Sequence, residues 1–221
     1  MHLPARLLLD GPSSPARNMA VDEALLRHVK SPVLRIYGWD VDCVSIGYFQ
    51  KAAVAPTDRP FVRRYTGGGL VEHGRDLTYT LVLPSDHPLT TAGTLPSYRS
   101  IHEAVAQALQ DCGVPCRLAT AQPQKDDASC FLKPVPADVL DLEGGKLAGA
   151  AQRRTKQGCL HQGSILLPLG IPAALQKTLT KQLRTCLQTE LQNSEIDPEE
   201  ETTCRELESS RYSLKGWNCS R

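Results

Sequence analysis

Arg63-Arg64-Tyr65-Thr66-Gly67-Gly68-Gly69-Leu70-Val71-Glu72-His73 places two guanidiniums and a hydroxyl directly before three glycines, with an imidazole just beyond. Glycine lacks a Cβ and reaches positive φ at little cost. A run of three therefore lets backbone amides lie along a ligand while Arg63 and Arg64 face its anionic or carbonyl oxygens. The same residues also suit a flexible hairpin flanked by surface arginines. Two later patches share the chemistry: Gly145-Lys146-Leu147-Ala148-Gly149-Ala150-Ala151-Gln152-Arg153-Arg154 and His161-Gln162-Gly163-Ser164-Ile165. In each, small residues let a ligand lie against the backbone and a long polar side chain can bond a carbonyl, carboxylate or phosphate. Lys146, beside the small run Ala148 to Ala151, is the candidate cation of such a pocket. His73 and His161 lack metal-ligand spacing and read equally as hydrogen-bonded structural histidines.

The elements around these patches follow from composition. Leu7-Leu8-Leu9 predicts a strand ended by Asp10-Gly11-Pro12-Ser13-Ser14-Pro15. A helix follows with Asn18 as its N-cap and apolar Met19, Val21, Leu25 and Val29 at helical spacing, until Pro32 ends it. Val33 to Tyr37, Cys43 to Ile46, Phe61 to Arg64 and Leu77 to Leu83 are rich in β-branched and aromatic residues and predict four strands. Ile101, Val105, Ala108 and Leu109 form the apolar stripe of a second helix, Ser97 to Asp111, with Gly113 as its stop. Gly144-Gly145 between Val139–Leu142 and the strand from Lys146 predicts a two-residue hairpin, Leu160 to Leu167 a further strand, and Ala173 to Leu191 a third helix. The expected fold is α/β (α+β): a mixed, largely antiparallel sheet flanked by helices. Residues 1–195 are expected to form one domain, and 196–221 a tail or short helix anchored by Trp217.

With 25 basic and 24 acidic residues the formal net charge is +1. That balance gives no footprint for nucleic acid. No apolar run approaches the roughly 20 residues of a membrane span, and no signal peptide is evident, so a cytoplasmic protein without a membrane partner is expected. The eight cysteines (Cys43, Cys112, Cys116, Cys130, Cys159, Cys186, Cys204, Cys219) contain no CxxC pair, which argues against a metal site. Free thiols are the default, and one is a candidate nucleophile. Cys130 follows the polar stretch Gln122 to Ser129, where a thiolate could be reached by a substrate; an ordinary buried cysteine is the alternative.

Six ordered motifs carry a resemblance: Asn18-Met19-Ala20-x-Asp22-Glu23-Ala24-Leu25-Leu26, Leu34-Arg35-x-Tyr37-x-Trp39, Ser45-x-Gly47-Tyr48-x-Gln50, Arg63-Arg64-x-Thr66-Gly67-Gly68-Gly69-x-Val71-x-His73, Gly145-Lys146-x-Ala148-Gly149-x-Ala151-Gln152-Arg153-Arg154 and His161-Gln162-Gly163-Ser164. Together they resemble the lipoate and octanoate transferase/ligase family, which shares its catalytic domain with biotin protein ligases. The resemblance implies an acyl tunnel beside the glycine run and a lysine, here Lys146, that holds the acyl carbonyl. It implies substrate contacts at Arg63, Arg64, Thr66, Gly67, Gly68, Gly69, His73, Gly149, Ala151, His161, Gly163 and Ser164. Asp76-Leu77-Thr78-Tyr79 and Ser129-Cys130-Phe131 are similar to the cysteine-type octanoyltransferases, in which the corresponding cysteine is the nucleophile.

On that resemblance the expected activity is ping-pong octanoyl transfer without a cofactor. Octanoyl-acyl carrier protein is the donor, and the lysine of a lipoyl domain or of the glycine cleavage H protein is the acceptor. Two alternatives stay open. One is an ATP-dependent lipoate or octanoate ligase, which would need ATP and magnesium; the other is a non-catalytic acyl-binding protein. The short chain after the catalytic region, with no accessory domain expected, favours the transferase. Cys159 is treated as structural, because the family offers no reactive cysteine to match it. A biotin ligase is disfavoured because its Gly-Arg-Gly-Arg-x-Gly loop is replaced by the Arg-Arg-x-Thr-Gly-Gly-Gly form.

Overall fold

The computed structural model describes residues 4–120 and 135–221. Strand β1 (Ala5–Ser13) leads into helix α1 (Pro15–Arg27), then β2 (Val33–Trp39), β3 (Cys43–Ile46), β4 (Phe61–Arg63), β5 (Val71–His73) and β6 (Leu77–Pro84). A short α2 (Pro88–Thr91) and a long α3 (Thr94–Asp111) follow, then β7 (Arg117–Leu118), β8 (Val139–Leu140), β9 (Lys146–Arg154) and β10 (Gly158–Ile165). The chain continues through α4 (Leu175–Leu187), β11 (Leu191–Asn193), α5 (Pro198–Leu207), a π-helical turn (Glu208–Tyr212) and α6 (Lys215–Asn218).

Eight strands form one sheet in the order β11-β1-β2-β6-β10-β9-β8-β7. β1 runs parallel to both β11 and β2, and the pairings from β2 to β7 are antiparallel. A second sheet, β4-β3-β5, combines one parallel and one antiparallel pair. The mixed, mostly antiparallel α+β architecture is thus the expected one.

Strand alternation divides the core. Tyr79, Leu81 and Leu83 of β6 face α3 and α4 with Ile101, Val105, Leu109, Leu179 and Leu183. Val82 of β6 and Leu160 of β10 face the opposite way, toward α1, with Met19, Val21, Leu25, Cys204 and Tyr212. Successive side chains of a strand point to opposite faces, so neighbouring residues of β6 serve two cores.

Helix α1 begins earlier than the sequence predicts. Ser14, not Asn18, is the N-cap: its Oγ accepts from the Arg17 amide at 3.2 Å, and Pro15 occupies the first helical position, where no amide donor is needed. Asn18 is buried instead. Its Nδ2 donates to the carbonyls of Ser13 (3.2 Å) and Gly38 (2.9 Å), and its Oδ1 accepts from Arg35. Strand β1 also runs on through Asp10-Gly11-Pro12, crossing a bulge in its pairing with β2. The predicted two-residue hairpin is longer, with residues 141–145 linking β8 to β9 and Gly144 at φ +96°.

Residues 198–212 and 215–218 are helical, and Cys204, Leu207 and Tyr212 are buried against α1. The Asp197 carboxylate caps α5 in a capping box with Glu200, whose carboxylate also holds Arg6 at 2.5 and 2.8 Å. Trp217 donates its indole N–H to the Arg63 carbonyl at 3.0 Å and packs edge-on against Tyr212.

Candidate acyl-binding site

Between the two sheets lies a cavity of about 360 Å³. Its floor is the α1-facing side of β9 and β10. Gly149 pairs with Ser164 and Ala151 with Gln162, so these four share one face of the sheet. Its roof is the glycine loop with β3 and β5, which contribute Gly68, Gly69, Leu70, Val71, Ser45 and His73. Met19 from α1 and Tyr37, Trp39 and Thr78 from β2 and β6 line it further, with Lys146 and Leu166 partly exposed at the rim. The walls are chiefly apolar or glycine, with a few convergent polar groups, as small-molecule sites tend to be.

The glycine loop is held by the protein itself. Arg64 donates from Nη2 to the carbonyls of Gly67 (3.0 Å) and Gly69 (2.7 Å), and from Nη1 to Ser45 O (2.9 Å) and Ser45 Oγ (2.7 Å). Burial pulls this guanidinium down to about 10. Arg63 turns away from the cavity. Its guanidinium binds the carbonyls of Gly47, Tyr48 and Gln50 together with those of Trp217 and Asn218. Both guanidiniums thus bond to the protein's own carbonyls; Arg63 stands outside the cavity, whereas Arg64 also lines it. Gly47 completes the brace, since any Cβ there would overlap the Gly68 carbonyl oxygen.

His73 joins this brace to a buried carboxylate. Its Nδ1 lies 2.8 Å from Asp76 Oδ2 and its Nε2 2.7 Å from Ser45 Oγ, while its ring stacks on Trp39 at 4.0 Å between centroids. Asp76 Oδ2 also accepts from Thr78 and Ser164, each at 2.7 Å. Burial holds His73 below the usual imidazole range against the opposing pull of Asp76. For Asp76 burial acts upward, but the bonds from His73, Ser164 and Thr78 outweigh it and leave the carboxyl below its ordinary value. A continuous hydrogen-bonded chain therefore runs from Asp76 through His73, Ser45 and Arg64 to the glycine loop.

A second buried network underlies the floor. Thr66 donates to Gln162 Oε1 at 2.6 Å, and Gln162 Nε2 donates to Asp22 Oδ2 at 2.7 Å. The same oxygen accepts from Tyr37 and Thr80, and Asp22 Oδ1 accepts from Arg35 at 2.8 Å. Both Asp22 and Arg35 are buried, so this ion pair rivets α1 to β2 beneath the cavity.

Of the expected contacts, Arg64, Gly68, Gly69, His73, Lys146, Gly149, Ala151, Gly163 and Ser164 line the cavity, whereas Arg63, Thr66, Gly67 and His161 do not. His161 sits on the opposite face of β10 among Tyr79, Tyr98, His102 and Gln152, and burial keeps its imidazole far below the usual range. Cys159 is likewise buried, and burial pushes its thiol up, as befits an inert cysteine. Cys130 lies outside the described residues. Among the described residues no cluster of His, Cys, Asp and Glu could hold a metal ion, and no helix is long and apolar enough to cross a membrane. Sequence reasoning missed Met19, Trp39, Ser45, Thr78 and Gln162 as wall residues, although each stands inside a quoted motif or strand.

A cavity between two sheets, walled chiefly by glycine and apolar side chains with Lys146 at its rim, has the form of a small-molecule site. Residues 14–197 match the family model described as "Lipoyl protein ligase A/B catalytic domain", and this chain belongs to that family. It is 39% identical to the octanoyltransferase LipM of Kyrpidia tusciae over 77% of this chain and 68% of that protein. It is 30% identical to that of Brevibacillus brevis over 98% of this chain and 99% of its relative. The Thermoplasma acidophilum protein Ta0514, solved with bound lipoic acid, superimposes with a TM-score of 0.83 at 26% identity, covering 99% of this chain and all of that one.

Proposed function

We propose that this chain is an octanoyltransferase of protein lipoylation and that it moves the acyl group through a thioester on Cys130. The activity rests on the octanoyltransferases that align with most of the chain. The observation that carries the substrate class is the cavity: about 360 Å³, walled chiefly by glycine and apolar side chains, with Lys146 at its rim. That size falls in the range of about 300–1,000 Å³ common for small-ligand sites.

The reaction runs in two steps. The Cys130 thiolate attacks the carbonyl of octanoyl-acyl carrier protein, a new C–S bond forms as the carrier's C–S bond breaks, and the carrier leaves as a thiolate that takes a proton from solvent. The amine of a lysine on a lipoyl domain or on the glycine cleavage H protein then attacks the acyl-enzyme, loses its proton as the amide forms, and expels the Cys130 thiolate. In both steps the Lys146 ammonium and the amides near Gly68 and Gly69 stabilise the carbonyl oxygen as it gains charge.

The test compares acyl sources. Octanoyl carrier protein and a lipoyl domain, without ATP, yield octanoylated domain. Free octanoate with ATP and magnesium yields none. Product from the second mixture alone identifies a ligase and overturns the assignment.

A further inference from the structure

The rim lysine has a partner that acyl transfer by itself does not call for. Asp138, just before β8, is fully buried. Its Oδ2 lies 2.8 Å from Lys146 Nζ and accepts the Val135 amide at 2.9 Å, and its Oδ1 accepts the Tyr98 hydroxyl at 2.6 Å. Tyr98 is fixed from its other side, its oxygen accepting the Ala150 amide at 2.9 Å. Burial first, and the Asp138 charge next, keep that phenol protonated and therefore a donor. His102 packs on the Tyr98 ring at 4.1 Å and adds no competing charge, since burial pulls it down to about 4.

Gly149 supplies the second half of the device. A Cβ at this position would overlap Cε and Nζ of Lys146 and lie 3.2 Å from Asp138 Oδ1. The lysine arm therefore lies across the bare backbone of its own strand to reach the carboxylate. A buried carboxylate is costly unless its partners are well placed, and here three donors from α3, β9 and the segment before β8 converge on it. A lysine arm has many rotamers, and one held in place loses little further freedom when charge develops beside it.

We propose that Asp138, braced by Tyr98, is the positioning residue that holds the Lys146 ammonium at the rim of the acyl cavity, with Gly149 left bare to seat the lysine arm. The inference rests on the reading of Lys146 as the group that steadies the acyl carbonyl. Two measurements on the full chain test it. The first is labelling of the Lys146 amine in the folded protein by an amine-directed reagent at fixed near-neutral pH, read by peptide mass spectrometry. The second is steady-state octanoyl transfer.

Asp138→Asn removes the charge at nearly constant shape, so the released Lys146 arm should label about two to five times faster, the change expected when an ion pair of a part-exposed lysine is lost. Its kcat should fall about tenfold or more while KM for octanoyl carrier protein stays within about twofold. Tyr98→Phe should move both readouts the same way by about two- to threefold, and it serves if Asp138→Asn does not fold. A merely structural role would lower thermal stability and leave Lys146 labelling in the folded protein unchanged. Wild-type labelling in the folded variants, or a wild-type kcat in Asp138→Asn, overturns the proposal. Absence of octanoyl transfer by the wild-type chain would instead remove the transferase reading, while the labelling still decides whether Asp138 holds the lysine.

Discussion

Replacing Gly47 with alanine probes the brace that shapes the cavity roof. The new methyl would overlap the Gly68 carbonyl oxygen and sit 2.9 Å from the Gly67 carbonyl oxygen, and both neighbours are backbone, which cannot swing aside as a side-chain tip can. The glycine loop must shift bodily, and that shift stretches the Arg64 bonds to Gly67 O and Gly69 O. Overpacking of this kind costs about 1–3 kcal/mol. Each hydrogen bond to a charged group adds about 1.5–3 kcal/mol if lost. Partial relaxation leaves a net loss of about 3 kcal/mol, or roughly 6–12 °C in Tm for a chain of this size. Because Gly68 and Gly69 line the cavity, octanoyl loading from carrier protein should slow as well. Gly11→Ala is the control, since nothing lies within 4 Å of a Cβ built there. Differential scanning calorimetry with loading kinetics by intact mass gives both readouts. Gly47→Ala with a Tm and loading rate matching Gly11→Ala would refute the idea that the roof is held by this backbone contact.

Acid should destabilise the fold through its buried histidines. His73, His102 and His161 are all held below the usual imidazole value by burial, so between pH 6.5 and about 4 the unfolded chain binds protons that the native chain does not, and stability is lost as pH falls. For His102, lowered to about 4, the loss reaches about 3 kcal/mol once the pH is below that value. His102→Asn keeps a donor near the Ala137 carbonyl, so in urea titrations at pH 7, 6 and 5 the wild-type advantage over it should shrink with falling pH; a constant difference contradicts the assignment. Trp217→Ala removes the indole donor to Arg63 O and the contact with Tyr212. It should cost about 2–3 kcal/mol, lowering Tm by roughly 4–12 °C, and an unchanged Tm would show that α6 is not an anchor of the Arg63 turn.

The strands were legible because β-branched runs ended at glycine, proline or aspartate, and Cys43–Ile46 emerges with its predicted bounds. The start of α1 was misread: Ser14-Pro15 caps it, but Asn18 resembles a cap equally well in one dimension. Only the fold shows that Asn18 faces Gly38 and Arg35. The arginine pair illustrates a physical limit: a guanidinium suits a ligand carbonyl and a backbone carbonyl alike, and the choice depends on the turns at Gly47 and at Asn218, which are remote in sequence. His161 was decidable in principle. Alternation along β10 places it opposite Gln162 and Ser164, so a strand carrying both cannot aim all three into one cavity. Asp138 carried no local signal, because its meaning lies in Lys146, Tyr98 and the chain's return past Ala119.

The thioester on Cys130 is the central claim, and intact mass spectrometry tests it most directly. Incubated with octanoyl carrier protein and no acceptor, the wild-type chain should gain one octanoyl group that hydroxylamine removes and that a lipoyl domain discharges. Cys130→Ser should gain none under the same treatment. A hydroxylamine-sensitive octanoyl adduct on Cys130→Ser, or octanoyl transfer by that variant at the wild-type rate, would contradict the account.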